Sequence, residues 1–276
     1  MSAKVQTQRS EARVAQATAA QAPSPGQIGP IQGGGSFSAI VALTQRELAS
    51  LFYSPIAYVV GFIFLLLTGH FFIYETLVPG NEASMRLLFE KMAGVLVFAL
   101  PLLTMRSISD EFASGSIETL MTAPVSDLSV VVGKFCGSLL FYLGLLATTI
   151  PHVILLNRYA PGLVGSTVMA GYFGMILLGA LFVAIGIFAS SCTRHQLLAA
   201  TIAIAILAVL TFAMDYGAEY ARTSSARNLC AYLNIFGHFD DFTKGILDTK
   251  SILFFASGTV FFLFLATKVM ESRRWR

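Results

Sequence analysis

The stretch Arg106-Ser-Ile-Ser-Asp-Glu-Phe-Ala-Ser-Gly-Ser-Ile-Glu-Thr-Leu-Met-Thr-Ala-Pro124 is polar, carries Asp110, Glu111 and Glu118, and lies between two long apolar runs. Ile117, Leu120 and Met121 fall at i, i+3 and i+4, so a short helix there has one apolar face. Gly115 and Pro124 punctuate it. An amphipathic helix outside the lipid needs something to dock against; the pattern alone describes a solvated loop equally well.

The runs on either side set the class. The chain has 276 residues, 55% of them hydrophobic and only 12% charged, and a mean hydropathy of +0.72. Soluble domains carry roughly a quarter charged residues. Apolar runs of about 20 residues therefore predict a polytopic membrane protein. Lipid offers no partner to backbone N–H and C=O groups, so spans are helices or a closed barrel. These runs are continuous rather than alternating, which selects helices. The expected fold is all-α: six transmembrane helices preceded by an interfacial amphipathic helix.

Outward from the central stretch, the second span is expected over Leu88–Met105, with a kink at Pro101. The first covers Ile56–Val78, behind Ser54-Pro55 as N-cap and first helical residue. The third covers Val130–Leu156, long enough to tilt, the fourth Thr167–Ser191, the fifth Leu197–Met214 and the sixth Ser251–Met270. Gly171, Gly174, Gly179 and Gly186 suit close packing of the fourth span. Ahead of the first, Thr44-Gln45-Arg46-Glu47 fits a capping box, and Leu43 with Leu48 a staple. Leu48, Leu51 and Phe52 line an interfacial helix, with Arg46 and Glu47 off that face and Tyr53 as anchor. Residues 1–36, rich in Ala, Gln, Gly and Ser, read as a disordered tail with no apolar core of a secretory signal. The six-span unit then occupies residues 37–276.

With both termini on the cytoplasmic side, eleven of the 18 Lys and Arg residues fall inside, Arg273 and Arg274 among them. The central stretch then faces the cytoplasm, and a segment over about 215–250 faces out. Within that segment Phe236, Phe239, Phe242 and Ile246 follow helical spacing, opposite Asp240, Asp241 and Lys244, which predicts a short re-entrant or interfacial helix; a surface loop with one amphipathic turn fits the pattern equally well.

Several chemistries are excluded. No G-x-x-x-x-G-K-[ST] phosphate loop occurs, so the chain is not expected to hydrolyse ATP. No H-E-x-x-H occurs, the four histidines lack metal spacing, and Cys136 (span), Cys192 (span end) and Cys230 (loop) form no disulfide framework. His70 and His152 read as structural, and Glu75 and Lys134 as snorkelling groups near span ends. No buried acids mark a proton-coupled carrier, and no inverted repeat is visible.

Asp110 to Ser126 resembles the E-x-x-x-G-[ST]-[IL]-E-x-L-x-x-x-P-[VI]-[ST] signature of ABC-2-type ABC transporter permeases, with Gly133-Lys134 at the family's following G-K. Gln45-Arg46-Glu47-Leu48 is similar to its R-[KR]-E-L start. Asn234 to Asp248 is similar to the S-x-x-x-H-F-x-x-F-x-[KR]-G-[IV]-[IL]-D of the gliding-motility exporter branch. The resemblance covers residues 40–276.

It implies the transmembrane subunit of an ATP-binding-cassette exporter, multi-pass in a bacterial-type plasma (inner) membrane. The chain itself would be no enzyme and hold no cofactor; ATP and Mg would bind a partner cytoplasmic ATPase. A second permease copy, identical or paralogous, and membrane lipids complete the implied partners; nucleic acid is not among them. Residues 106–129 become the coupling loop. Its implied coupling residues are Glu111, Gly115, Ile117, Glu118, Leu120, Met121 and Pro124, with the two glutamates pairing with basic groups of the ATPase. His238, Phe239, Phe242, Lys244 and Gly245 become candidates for an external gate. A non-transporting scaffold or assembly factor that recruits an ATPase is the alternative reading.

Overall fold

The computed structural model describes residues 36–76, 85–114, 126–159, 165–220 and 223–274, all within one compact unit, Ser36–Arg276. These residues are 90% helical, with no strand among them. In chain order the helices are α1 (Ser36–Phe52), α2 (Pro55–Phe71), α3 (Met85–Thr104), α4 (Ser109–Ser114), α5 (Asp127–Ala147), α6 (Ile150–Tyr159), α7 (Ser166–Cys192), α8 (Gln196–Ala208), α9 (Met214–Tyr220), α10 (Ser224–Leu233), α11 (Ile235–Thr243) and α12 (Thr249–Arg274). One π turn, Phe72–Thr76, extends α2, and another, Val209–Ala213, joins α8 to α9.

Among the described residues, six segments are long and apolar enough to cross a membrane: Pro55–Thr76, Met85–Ser114, Asp127–Arg158, Thr167–Cys192, Gln196–Tyr220 and Thr249–Arg273. They match the six expected spans, and most reach beyond the expected ends. Polar caps fix several starts. Ser54 has extended backbone before Pro55 at the first helical turn. The Ser126 side chain accepts from the Ser129 amide at the head of α5.

The third span is not one unbroken helix. It breaks at Thr148-Thr149, between α5 and α6. Pro151 has no N–H to give the Ala147 carbonyl, and the chain tightens instead: Thr148 N bonds Leu145 O at 3.2 Å and Thr149 N bonds Leu146 O at 3.0 Å. Both threonine hydroxyls back-bond to the same carbonyls. Pro101, expected to kink α3, is accommodated inside it, and the helix ends at Thr104 one turn later.

Helix α7 is the centre of the bundle, packed against α3, α5, α8, α11 and α12. It is apolar all round, as suits a helix mostly enclosed by its neighbours, with Met169 and Phe173 still exposed. Its glycines make room for large neighbours: Gly171 for Phe89, Gly174 for Phe242, Gly179 for Tyr142 and Gly186 for Thr104. Tyr142 is fully buried and donates to Met175 O at 2.8 Å.

Helix α1 already covers Ser36–Phe52, so Thr44 lies mid-helix and caps nothing. The capping-box reading fails because Thr44 Oγ1 bonds back to Ile40 O (2.8 Å) and across to Gly133 O (3.2 Å), while Glu47 turns into the protein. Cys230 lies on helix α10, where a loop was expected.

Candidate functional site

Gly133 and Gly137 stand one helical turn apart on α5. A Cβ on Gly133 would meet Leu43 at 2.6 Å, and one on Gly137 would meet Glu47 at 2.7 Å. This G-x-x-x-G pair lets the α1 backbone lie directly on α5. The close approach carries Glu47 inward, to a position opposite Lys134.

Lys134 is buried, its side chain 6% exposed, and its ammonium is fully engaged. Nζ lies 3.1 Å from Glu47 Oε2, 3.0 Å from Glu111 Oε1 and 2.5 Å from the Ser107 carbonyl. Ser107 Oγ donates to Glu47 Oε1 at 2.8 Å. Arg46 approaches Glu111 Oε1 at 3.9 Å from the surface. Two hydrogen bonds, to Glu47 and the Ser107 carbonyl, and the ion pair with Glu111 thus compensate the buried ammonium. Glu47 was expected off the buried face and Lys134 at a span end; both are interior because each removes the other's desolvation cost. Glu111 Oε2 is buried and accepts no hydrogen bond among the described residues. A groove of about 760 Å³, lined in part by Arg46, Glu47, Ser54, Arg106, Glu111 and Lys134, opens beside the cluster.

The turn between α3 and α4 is held from the other side as well. Ser190 of α7 accepts from the amides of Ile108 and Ser109, both at 3.0 Å, and donates to Met105 O at 3.0 Å. Asp110 pairs with Arg106 at 3.2 Å and accepts from Gln196, at the start of α8. Arg273, near the end of α12, covers the Phe112 ring at 4.6 Å and bonds Cys192 O. Residues from α1, α5, α7, α8 and α12 therefore all grip α4 or the turn leading into it.

Of the expected coupling residues, Glu111 sits in this cluster. Gly115, Ile117, Glu118, Leu120, Met121 and Pro124 lie outside the described residues.

The external-gate candidates gather on α11, at the opposite end of the bundle. Phe239 and Phe242 are buried, Phe242 against Gly174 and Phe255. Asn234 caps the helix, accepting from Phe236 N at 3.0 Å, and Gly245, at φ 83°, ends it where a side chain would be strained. His238 stacks on Phe254 with ring centres 4.4 Å apart. Its Nδ1 meets Ser251 Oγ at 3.1 Å, and Ser251 donates to Asp241 at 3.1 Å. Here serine stands between histidine and carboxylate, so the histidine has no carboxylate to orient it as a base; the trio clasps α11 to α12. Lys244 pairs with Asp240, and Arg86 of α3 reaches the same carboxylate at 3.0 Å. Burial alone would raise the Asp240 carboxyl, but the Lys244 hydrogen bond and the charges of Lys244 and Arg86 hold it below its ordinary value.

His70 packs on Tyr74 and His152 edge-on to Phe72, with His152 Nδ1 near Thr149 O.

A family model described as "ABC-2 family transporter protein" matches residues 6–270. The match begins well ahead of residue 40, where the recognisable motifs start. No curated protein matches the chain significantly.

Proposed function

The chain belongs to the ABC-2 family of transporter proteins, and from that premise we propose how this permease subunit receives work from a cytoplasmic ATPase. Families of this kind normally work with such an ATPase. In our reading the stretch from α4 to Pro124 faces the cytoplasm and lies in a groove of the ATPase, with Ile117, Leu120 and Met121 as apolar anchors. Both termini share that side, and the membrane is a bacterial-type plasma membrane. The complex exports its substrate with two permease copies, identical or paralogous, each bound to an ATPase.

The observation that carries the proposal is the Lys134 cluster. A push on α4 moves Glu111. Lys134 ties Glu111 to Glu47, so α1 and α5 must follow or the buried ions must separate. Separating a buried pair costs about 3–5 kcal/mol, so the elements move as a unit. Ser190, Gln196 and Arg273 extend the same grip to α7, α8 and α12. Such a rigid root converts a local push into a rearrangement of spans. At the far end, α11 acts as the outer cap, released when α3 and α12 shift beneath Arg86 and Ser251.

Site-specific photo-cross-linking tests this reading. A photoreactive residue at Ile117 or Leu120 should capture an ATP-binding-cassette protein in cells, and one at Ser224 should not. Capture from Ser224 alone would reject the assignment.

A further inference from the structure

We propose that His238 is a proton-operated latch: charged, it fastens α11 to both α10 and α12, and neutral, it releases one of them. The imidazole is half-buried and stacks on Phe254, with ring centres 4.4 Å apart and planes 22° from parallel. Both ring nitrogens are engaged. Nε2 lies 3.1 Å from the Tyr232 carbonyl near the end of α10, and Nδ1 lies 3.1 Å from Ser251 Oγ in the first turn of α12.

Counting hydrogens gives the charge state that this geometry needs. A carbonyl only accepts, so Nε2 must carry a proton. Ser251 has one hydroxyl hydrogen, and it goes to Asp241 Oδ2 at 3.1 Å. Nδ1 therefore faces an oxygen lone pair and must carry a proton too. The doubly protonated, cationic ring makes all three bonds at once, and neither neutral tautomer does. With Nε2–H alone, the ring draws the Ser251 hydrogen away from Asp241. With Nδ1–H alone, it turns a lone pair on the Tyr232 carbonyl. Ser251 is almost fully buried, so a bond lost there is not made good by water.

The other charged groups around the joint are occupied. Asp240 pairs with Lys244 and with Arg86 of α3, which also holds Glu90. Asp215 of α9 accepts from Asn234, and Asp248 accepts from the Lys250 amide ahead of Ser251. Tyr172 of α7 is spent on Thr149. Among the described residues, Asp241 is the carboxylate linked to the ring, through Ser251. Helix α11 itself stays in place in both states, since Phe239 and Phe242 are buried and Asp240 holds to α3. The proton acts instead on its partners. Helix α10 buries none of its residues, so the bond to the Tyr232 carbonyl is a large part of its anchorage. The latch stands apart from the transport reading, because exchange alone measures it.

The test is hydrogen–deuterium exchange of the full-length protein in lipid nanodiscs, corrected for intrinsic exchange. It runs between about pH 5 and 8, the range in which histidine side chains change charge. One hydrogen bond is worth about a fivefold change in local opening. Protection of residues 229–233 or 251–254 should therefore fall about fivefold as pH rises across this range, while α7 and α11 stay level. His238→Gln carries no titrating proton and should abolish the step. Ser251→Ala removes the bridge, is a smaller change to the fold, and should abolish it as well. Protection at both segments that is level or rises with pH in the unmodified chain would overturn the proposal. So would a step of unchanged size in Ser251→Ala or His238→Gln, which would place the titrating group elsewhere.

Discussion

Lys134 on α5 holds its ammonium 3.1 Å from the Glu47 carboxylate of α1, and the same nitrogen lies 3.0 Å from Glu111 of α4. One buried cation thereby joins three elements distant in sequence. Lys134→Met should leave two carboxylates buried without their cation, costing about 3–5 kcal/mol and lowering thermal stability and yield in detergent. Adding Glu47→Gln and Glu111→Gln should restore most of that stability. In our reading the rescued triple variant still fails to couple ATP hydrolysis to transport, because neutral amides separate easily. Size-exclusion profiles report the first effect and reconstituted ATPase assays the second; full coupling in the triple variant would make the cluster a fold determinant only.

Gly179 and Gly94 form a matched pair of tests. Gly179→Ala places a methyl against the buried Tyr142 ring, whereas Gly94→Ala meets open space. The first should destabilise by about 1–3 kcal/mol through overpacking. The second should be neutral or stabilising by up to about 1 kcal/mol, from helix propensity. Thermal unfolding of the two variants in the same detergent checks the order.

The Asp240 pairing that ties α11 to α3 should be acid-sensitive. Asp240 is held below its ordinary value by Lys244 and Arg86 despite burial. A depressed carboxyl stabilises the fold above its unfolded pKa, about 3.9, and that contribution is lost as pH falls through the folded value. Protection of α11 amides, corrected for intrinsic exchange, should be flat from pH 5 to 8 and fall below about pH 4. Asp240→Asn should remove most of that dependence.

Much of this was legible in the chain. Run length and charge depletion place all six spans, because lipid forces helical hydrogen bonding. The α11 helix is visible from the spacing of Phe236, Phe239 and Phe242. What escaped was interior polarity. Thr44-x-x-Glu47 satisfies a capping-box pattern, yet Glu47 faces Lys134, a partner 87 residues away. Gly133-x-x-x-Gly137 was the available signal, since it demands a close neighbour on that face of α5. The break at Thr148-Thr149 was likewise foreshadowed by Pro151, whose missing N–H outweighs the continuity of the apolar run.

In our reading the Lys and Arg bias sets the membrane sidedness. Single cysteines at Ser116 and Ser224 should react with an impermeant thiol reagent from opposite faces, Ser224 from outside in intact cells. Labelling of both from outside would reverse the assignment of the α4 end to the cytoplasm.

The central claim is that the stretch after α4 is where an ATPase grips. Truncating one apolar anchor at an interface typically costs about 2 kcal/mol, roughly thirty-fold in affinity. Leu120→Asp should cost more, because it desolvates an unpaired carboxylate in an apolar groove. The decisive measurement is co-purification of the partner ATPase with the Leu120→Asp chain at normal membrane abundance. The account predicts loss of at least thirty-fold in binding with the six-span fold intact. Full retention of ATPase binding and of transport-coupled hydrolysis would contradict it.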